Sequence, residues 1–263
     1  MTKRKLVRTL VGTFLFVGFL VLMNRITTYE TEEQKFERLI GALQSQNMED
    51  DLGSTRTRSR AARDLGDMGE DAVPVLIQAL QNEQNQYVRT SVVFALADIG
   101  RSTKNTKNIT FALIQALQND PHEDVRNCVA LILGERQEYM MGENAKDVVP
   151  ALIQVLKHDQ DGEVRACVAG ALDDIGENAK DAVPALIQVL QHDQDSEFRA
   201  YVAGALVKIG TAEAIKAAKG AIPDLIGLLQ HEYEPYRSSA ANALSKIGTP
   251  EALKGLEGSN HER

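Results

Sequence analysis

GENAKDVVPALIQVLKHDQDGEVRACVAGAL, residues 142–172, returns as GENAKDAVPALIQVLQHDQDSEFRAYVAGAL at 176–206, with 26 of 31 positions identical and a 34-residue period. A fixed period of that length marks stacked supersecondary units, each too small to bury its own apolar face alone. Each copy has two parts. The first is an apolar stretch opened by proline, which loses no hydrogen bond in a helix's first turn. The second follows a polar turn and places Val164, Val168, Ala171, Leu172 and Ile175 at i, i+4, i+7, i+8 and i+11, one face of a helix. Gly176 then stops that helix.

Weaker copies extend in both directions. DAVPVLIQALQ (71–81), NITFALIQALQ (108–118), AIPDLIGLLQ (221–230) and KFERLIGALQ (35–44) repeat the first part. Pro74, Pro150, Pro184 and Pro223 open their helices, with Thr110 and Glu37 in that place in the other two units. Gly69, Gly100, Gly210 and Gly248 are expected to end second helices as Gly176 does. Aligning those helices brings Arg58, Arg89, Arg126, Arg165, Arg199 and Arg237 into one column. The spacing predicts six helical hairpins within 27–258, at about 31–69, 70–100, 101–139, 140–176, 177–210 and 211–248. A capping turn or short helix at 249–258 and a disordered tail at 259–263 complete the chain. No stretch alternates with a period of two, so the expected class is all-α, a solenoid without a sheet. The third unit departs from the pattern. Arg136 and Gln137 stand where neighbours carry Ile and Gly, and the step to the next Arg is 39 residues, with Tyr139, Met140 and Met141 in the added stretch. That stretch reads as a longer loop, or as a hinge or binding loop.

At 43% apolar and 25% charged residues the composition is that of a folded protein. Net charge is −8, but residues 1–26 carry +5, leaving −13 on the rest. A body that acidic repels phosphates, which argues against nucleic acid as a partner. The basic start leads into LVGTFLFVGFLVLM (10–23), 14 uncharged residues. As a helix these reach only about 21 Å of a ~30 Å hydrocarbon core, but Leu6–Ile26 suffices if Arg8 and Arg25 snorkel. A cleaved signal peptide has a similar apolar length, yet no A-x-A site follows. Residues 1–26 are thus read as a single-pass membrane anchor, with a cleaved signal or a buried helix as alternatives. Four basic residues precede the segment, and Glu30, Glu32 and Glu33 follow it. The positive-inside rule then puts the N-terminus in the cytoplasm and the repeats on the other side. Cleavage would leave them secreted or periplasmic.

The recurring PxLIxxL, DxDxEVR turn and VAxALxxIG resemble the short HEAT repeat of the phycobilisome (PBS) lyase type, over about 220 residues. The resemblance implies an armadillo-like α-solenoid with second helices on the concave side and first helices on the convex side. It also implies use as a scaffold, a chaperone or, less often, an enzyme. The expected function is a membrane-tethered, non-catalytic scaffold whose concave face binds a protein, basic or neutral given the acidic body. The alternatives are a bilin lyase or isomerase subunit, a deoxyhypusine hydroxylase-like oxidoreductase, or a structural spacer.

Each His precedes an acid: His122–Glu123, His158–Asp159, His192–Asp193, His231–Glu232 and His261–Glu262. The hydroxylases that resemble this pattern hold iron through His-Glu pairs just after the aligned Arg. Those places here hold Asn127–Cys128, Ala166–Cys167 and Ala200–Tyr201. The actual pairs fall in turns about 10 Å apart, too far to share an ion bound at about 2 Å. No catalytic, cofactor-binding or metal-binding residue is assigned, and no cofactor is expected. Cys128 and Cys167 hold the same place in adjacent units, where Ser91, Tyr201 and Ser239 stand elsewhere. Helices about 8–10 Å apart keep them beyond the ~7 Å reach of a disulfide. The Arg column reads as an anion ladder or as structural ties. Asp161–Arg165 and Asp195–Arg199 have i, i+4 spacing, and the resemblance implies that such residues link neighbouring units. Gln78, Gln115, Gln154 and Gln188 form a polar stripe on the convex wall, broken by Gly41 and Gly227.

Overall fold

The computed structural model describes residues 30–45, 52–103, 106–135, 145–232 and 234–261. The N-terminal segment 1–26 and the irregular stretch at 136–144 lie outside the described residues. Fourteen α-helices follow in order among those described: α1 Glu32–Gln44, α2 Leu52–Gly66, α3 Val73–Asn82, α4 Gln86–Ser102, α5 Lys107–Asn119, α6 Glu123–Glu135 and α7 Ala145–His158. The second half holds α8 Gly162–Ile175, α9 Val183–His192, α10 Ser196–Ile209, α11 Ala212–Ala218, α12 Ile222–Leu228, α13 Glu234–Ile247 and α14 Pro250–His261. No strand occurs among the described residues. None of the helices described is long and apolar enough to cross a membrane.

The ends of the helices are written into the sequence. Thr31 and Gln34 close a capping box on α1. Asn85 accepts from the amides of Tyr87 and Val88, and Asp161 from Val164. Pro74, Pro184 and Pro223 occupy first-turn positions. Gly69, Gly176, Gly210 and Gly248 all take positive φ, between 58° and 84°, where a Cβ would be strained.

Three boundaries differ from the expectation. Gly100 does not stop α4, which runs through it to Ser102. The next unit starts farther along the chain, so the helix continues until Thr103 closes it by donating its amide to Ile99 O. Pro150 lies inside α7, because Ala145–Val149 join the helix. The same AKD residues form a 3-10 turn before α9, with the chain kinked at Ala179. Finally, α14 continues to His261, past the expected end at 258, with Thr249 Oγ1 accepting from Ala252 N at its start.

The helices form two layers. α1, α3, α5, α7, α9 and the broken pair α11–α12 make the first; α2, α4, α6, α8, α10 and α13 make the second. One continuous core of Leu, Val, Ile and Ala lies between them, with Val164, Val168, Ala171, Leu172 and Ile175 all buried as their spacing requires. Second-layer helices approach one another more closely than first-layer ones, which puts the second layer on the inside of the curve. The reason is small side chains at the crossings. A Cβ on Gly66 would meet Ala95 Cβ at 3.0 Å, and one on Gly134, at the matching position, would meet Ala171 Cα at 2.5 Å.

Candidate functional site

The arginine column fixes how each repeat sits on the next. Arg89 Nε and Nη2 donate to the two carboxylate oxygens of Asp120, both at 2.8 Å. Its Nη1 donates to the carbonyls of Glu83 and Gln84 in its own turn. Arg126 repeats the pattern with Asp159, at 2.8 and 3.0 Å, and with Asp120 O. Arg58 Nη1 reaches both oxygens of Glu83. Each acid stands six residues before the next arginine and also accepts from an amide of its own turn, as Asp159 does from Asp161 N. The DxD turn is thereby decoded. Its first Asp receives the preceding repeat's arginine and its second caps the following helix. The i, i+4 pairing of Asp161 with Arg165 is therefore replaced, because Asp161 is occupied by the Val164 amide. Arg165 turns instead toward Asp193, at 3.8 Å, with its guanidinium 5.4 Å from the Phe198 ring centroid.

At the sixth repeat the rule is kept by other means. His231 occupies the acid's position, and Arg199 bonds instead to Asp224 on α12 at 2.9 Å through two nitrogens. Arg237, with no further turn to reach, donates to the carbonyls of His231 and Glu232.

With their arginines engaged in the stack, the second helices turn four positions outward, two before the arginine and two, five and nine after it, although Cys128 and Gly204 in this register are buried. In α2 the first three are Arg56, Arg60 and Arg63. In α4 they include Tyr87 and Phe94, 64% and 48% exposed, and in α6 Leu131 at 48%. These are large apolar side chains left in water on adjacent helices of one layer. Ser59 Oγ to Tyr87 O at 3.5 Å and Gln86 Nε2 to Asp124 Oδ2 at 3.1 Å record the contact of α2 with α4 and of α4 with α6. In α8 the face carries Glu163, Cys167, Gly170 and Asp174.

Gly170 needs no close approach, since a Cβ there would meet nothing within 4 Å. A mid-helix glycine without a packing reason lowers stability by about 1 kcal/mol relative to alanine. Gly170→Ala is accordingly expected to raise unfolding free energy by about 0.5–1 kcal/mol in urea titration. Asp173 and Asp174 sit in the last turn of α8, where the helix dipole opposes negative charge. Burial raises both carboxyls above the usual range, and Lys208, 3.6 Å from Asp173, offsets this in part. A carboxyl raised in the folded state favours folding when protonated, and that contribution is lost as pH rises through the folded value. Asp173→Asn is therefore expected to match or exceed the parent in stability at neutral pH. The gap should close as pH falls below that carboxyl's folded pKa, as read by urea unfolding at several pH values.

The remaining candidates stay apart. His158 and His192 end α7 and α9 on separate repeats, and His192 Nδ1 lies 2.8 Å from Gln188 O in its own helix. Among the described residues no group of three or more His, Cys, Asp or Glu gathers as an ion would require. Neither Cys128 nor Cys167 is in a disulfide. Burial, with Glu163 and Asp161 adding to it, pushes the Cys167 thiol up to about 11, so it is protonated at neutral pH. Gln78, Gln115, Gln154 and Gln188 are all exposed on the first layer. A groove of about 540 Å³ opens between the turns of the third and fourth repeats, but the Arg126–Asp159 pair lines it and is already mutually bonded. Periodicity makes the arginine column legible, but not the exposed Tyr87–Phe94–Leu131 group, because Phe94 and Leu131 sit inside apolar runs and only the alignment on arginine separates the outward position from the core.

The family model for HEAT repeats matches residues 110–206 and 183–262, together more than half of the chain, and that for the PBS lyase HEAT-like repeat matches 57–82. No curated protein matches the sequence. Among solved structures, the complex of CpcE and CpcF of phycocyanin lyase from Nostoc sp. PCC7120 is 26% identical with a TM-score of 0.51, over 87% of this chain and 88% of that one. The Escherichia coli protein YibA is 20% identical with a TM-score of 0.53, over 86% of this chain and 79% of that one. Kap121p bound to Nup53p is 17% identical with a TM-score of 0.56, over 87% of this chain and 26% of that one. The last two are likenesses of fold.

Proposed function

The chain belongs to the HEAT-repeat family, and from that premise we propose that it is a non-catalytic scaffold that holds a protein partner against its second-layer face. The observation that carries this reading is the line of exposed Tyr87, Phe94 and Leu131 on adjacent helices of that layer. Water-exposed aromatics on a rigid surface are what a protein interface buries first. The stacking arginines hold the helices beneath them in a fixed register, so little order has to be gained on binding.

Tethering belongs to the same proposal. The apolar Leu6–Ile26 segment with its basic start supports a membrane anchor with the repeats on the non-cytoplasmic side. Protease treatment of intact cells, combined with crosslinking and mass spectrometry, tests both parts. The expected result is digestion of the repeats from outside and one recurrent crosslinked protein. Repeats protected inside intact cells, or crosslinks scattered without recurrence, would refute the corresponding part.

A second reading, an enzyme subunit of the bilin lyase or isomerase kind, is favoured by the 26% likeness to the CpcE–CpcF complex. Incubation of purified protein with a bilin decides between them. The scaffold reading expects an unchanged bilin absorbance spectrum, and a shifted or covalently retained chromophore would replace it.

A further inference from the structure

The second-layer face is not uniformly acidic, although the body outside 1–26 carries −13. Its first helix presents Arg56, Arg60 and Arg63 to solvent, at i, i+4 and i+7 of α2, with Asp67 the acid at the fourth position. The apolar residues of α4 and α6 come next. The fourth position is acidic on α4 as well, at Asp98, but the first passes from Arg56 through Tyr87 to Asp124 on α6 and Glu163 on α8, where Asp174 adds a second acid before Lys208 on α10 ends the run. From α2 to α8 the face therefore passes from mostly basic through apolar to acidic.

We infer that the partner segment is bipolar, with an acidic cluster, an apolar anchor and a basic cluster in that spatial order along the trough from α2 to α8. The inference rests on the scaffold reading and narrows it, replacing a generally basic partner with one that is basic at one end only. Acidic residues of the partner meet the arginines of α2, its apolar side chains cover Phe94 and Leu131, and its basic residues meet Glu163 and Asp174. Neighbouring repeats are about 10 Å apart, so α2 to α8 spans about 30 Å, which an extended peptide of about nine or ten residues covers. Gly170 leaves open space over α8, which lets the partner's backbone come close at the acidic end. Complementary charge of this kind sets specificity and register more than total affinity.

The test is fluorescence anisotropy of the full chain in detergent with three labelled ten-residue peptides. All share a central Phe-Leu pair; one is flanked by acids on one side and bases on the other, one by bases on both sides, and one by acids on both. The expected order puts the bipolar peptide about tenfold tighter than either control, an effect that added salt erodes. Charge reversal by Arg60→Glu with Arg63→Glu is expected to move the preference to the doubly basic peptide. Both arginines are exposed, so thermal unfolding should stay near the parent's. Tightest binding of the doubly basic peptide by the unaltered chain would overturn the inference, as would no binding or a preference that ignores the charge reversal. Recurrent crosslinking of a protein from position 94 in cells separates these outcomes, since it upholds the scaffold reading even where the bipolar partner fails.

Discussion

Arg89→Ala is expected to lower the unfolding free energy by about 3–5 kcal/mol, the range for removing one member of a buried ion pair. Arg89 and Asp120 side chains are each only 5% exposed. Truncation leaves the Asp120 carboxylate buried with the His122 amide still donating to it, and takes a shared donor from the carbonyls of Glu83 and Gln84. Replacing both charges, Arg89→Met with Asp120→Leu, should recover only part of the loss. The charge problem disappears, but the turn carbonyls still lack their donor and the His122 amide its acceptor. The column also predicts a ranking. The Arg199–Asp224 pair is 24% and 19% exposed, so water can take over on truncation, and Arg199→Ala is expected to cost about half as much or less. Urea titration of the single variants and the double variant measures all of this. Equal losses at Arg89 and Arg199 would show that burial does not set the strength of these ties.

Gly134→Val is expected to cost about 3 kcal/mol, and Gly134→Ala about 1 kcal/mol, through overpacking of the α6–α8 crossing. Helix propensity alone predicts the opposite sign for alanine, a gain of about 1 kcal/mol. Packing decides here because the added carbon would lie 2.5 Å from Ala171 Cα and 2.8 Å from its Cβ, so backbone rather than a flexible side chain must move. The comparison with Gly170 isolates the cause. Both glycines lie within second-layer helices, yet the space over Gly170 is open, so the same substitution should stabilise at 170 and destabilise at 134. Ala171→Gly, by clearing the obstructing methyl, should restore part of what Gly134→Ala loses. Matching signs at 134 and 170 would contradict the close approach.

The all-α class was legible because a 34-residue period and helical spacing of Val164, Val168, Leu172 and Ile175 allow no other arrangement of so many apolar residues. The arginine column was legible too, but its partners were not. Asp161 lies at helical spacing from Arg165, and nothing local reveals that its carboxylate is needed by the Val164 amide while Asp193, a repeat away, faces the guanidinium. Asp224 is a further case. It answers to the His231 that breaks the acid pattern, a compensation visible only once Arg199 is seen to reach α12. Gly100 misled because glycine permits a left-handed stop without requiring one, and the following connection here leaves room for two more helical residues. The exposed apolar line was hidden by the same regularity that revealed the fold. Phe94 and Leu131 sit among Val92, Val93, Leu96, Ile132 and Leu133, which are buried, and a run of that kind does not announce which members face out.

The claim on which the rest depends is that the inner layer of helices is the surface a protein occupies. Its most direct measurement places a photo-crosslinking amino acid at Phe94 on α4 and, in a second variant, at Phe111 on α5, which is 64% exposed but belongs to the first layer. Irradiation of cells should yield a discrete adduct of one mass from position 94 and none from position 111. The same adducts from both positions, or adducts from 111 alone, would contradict it.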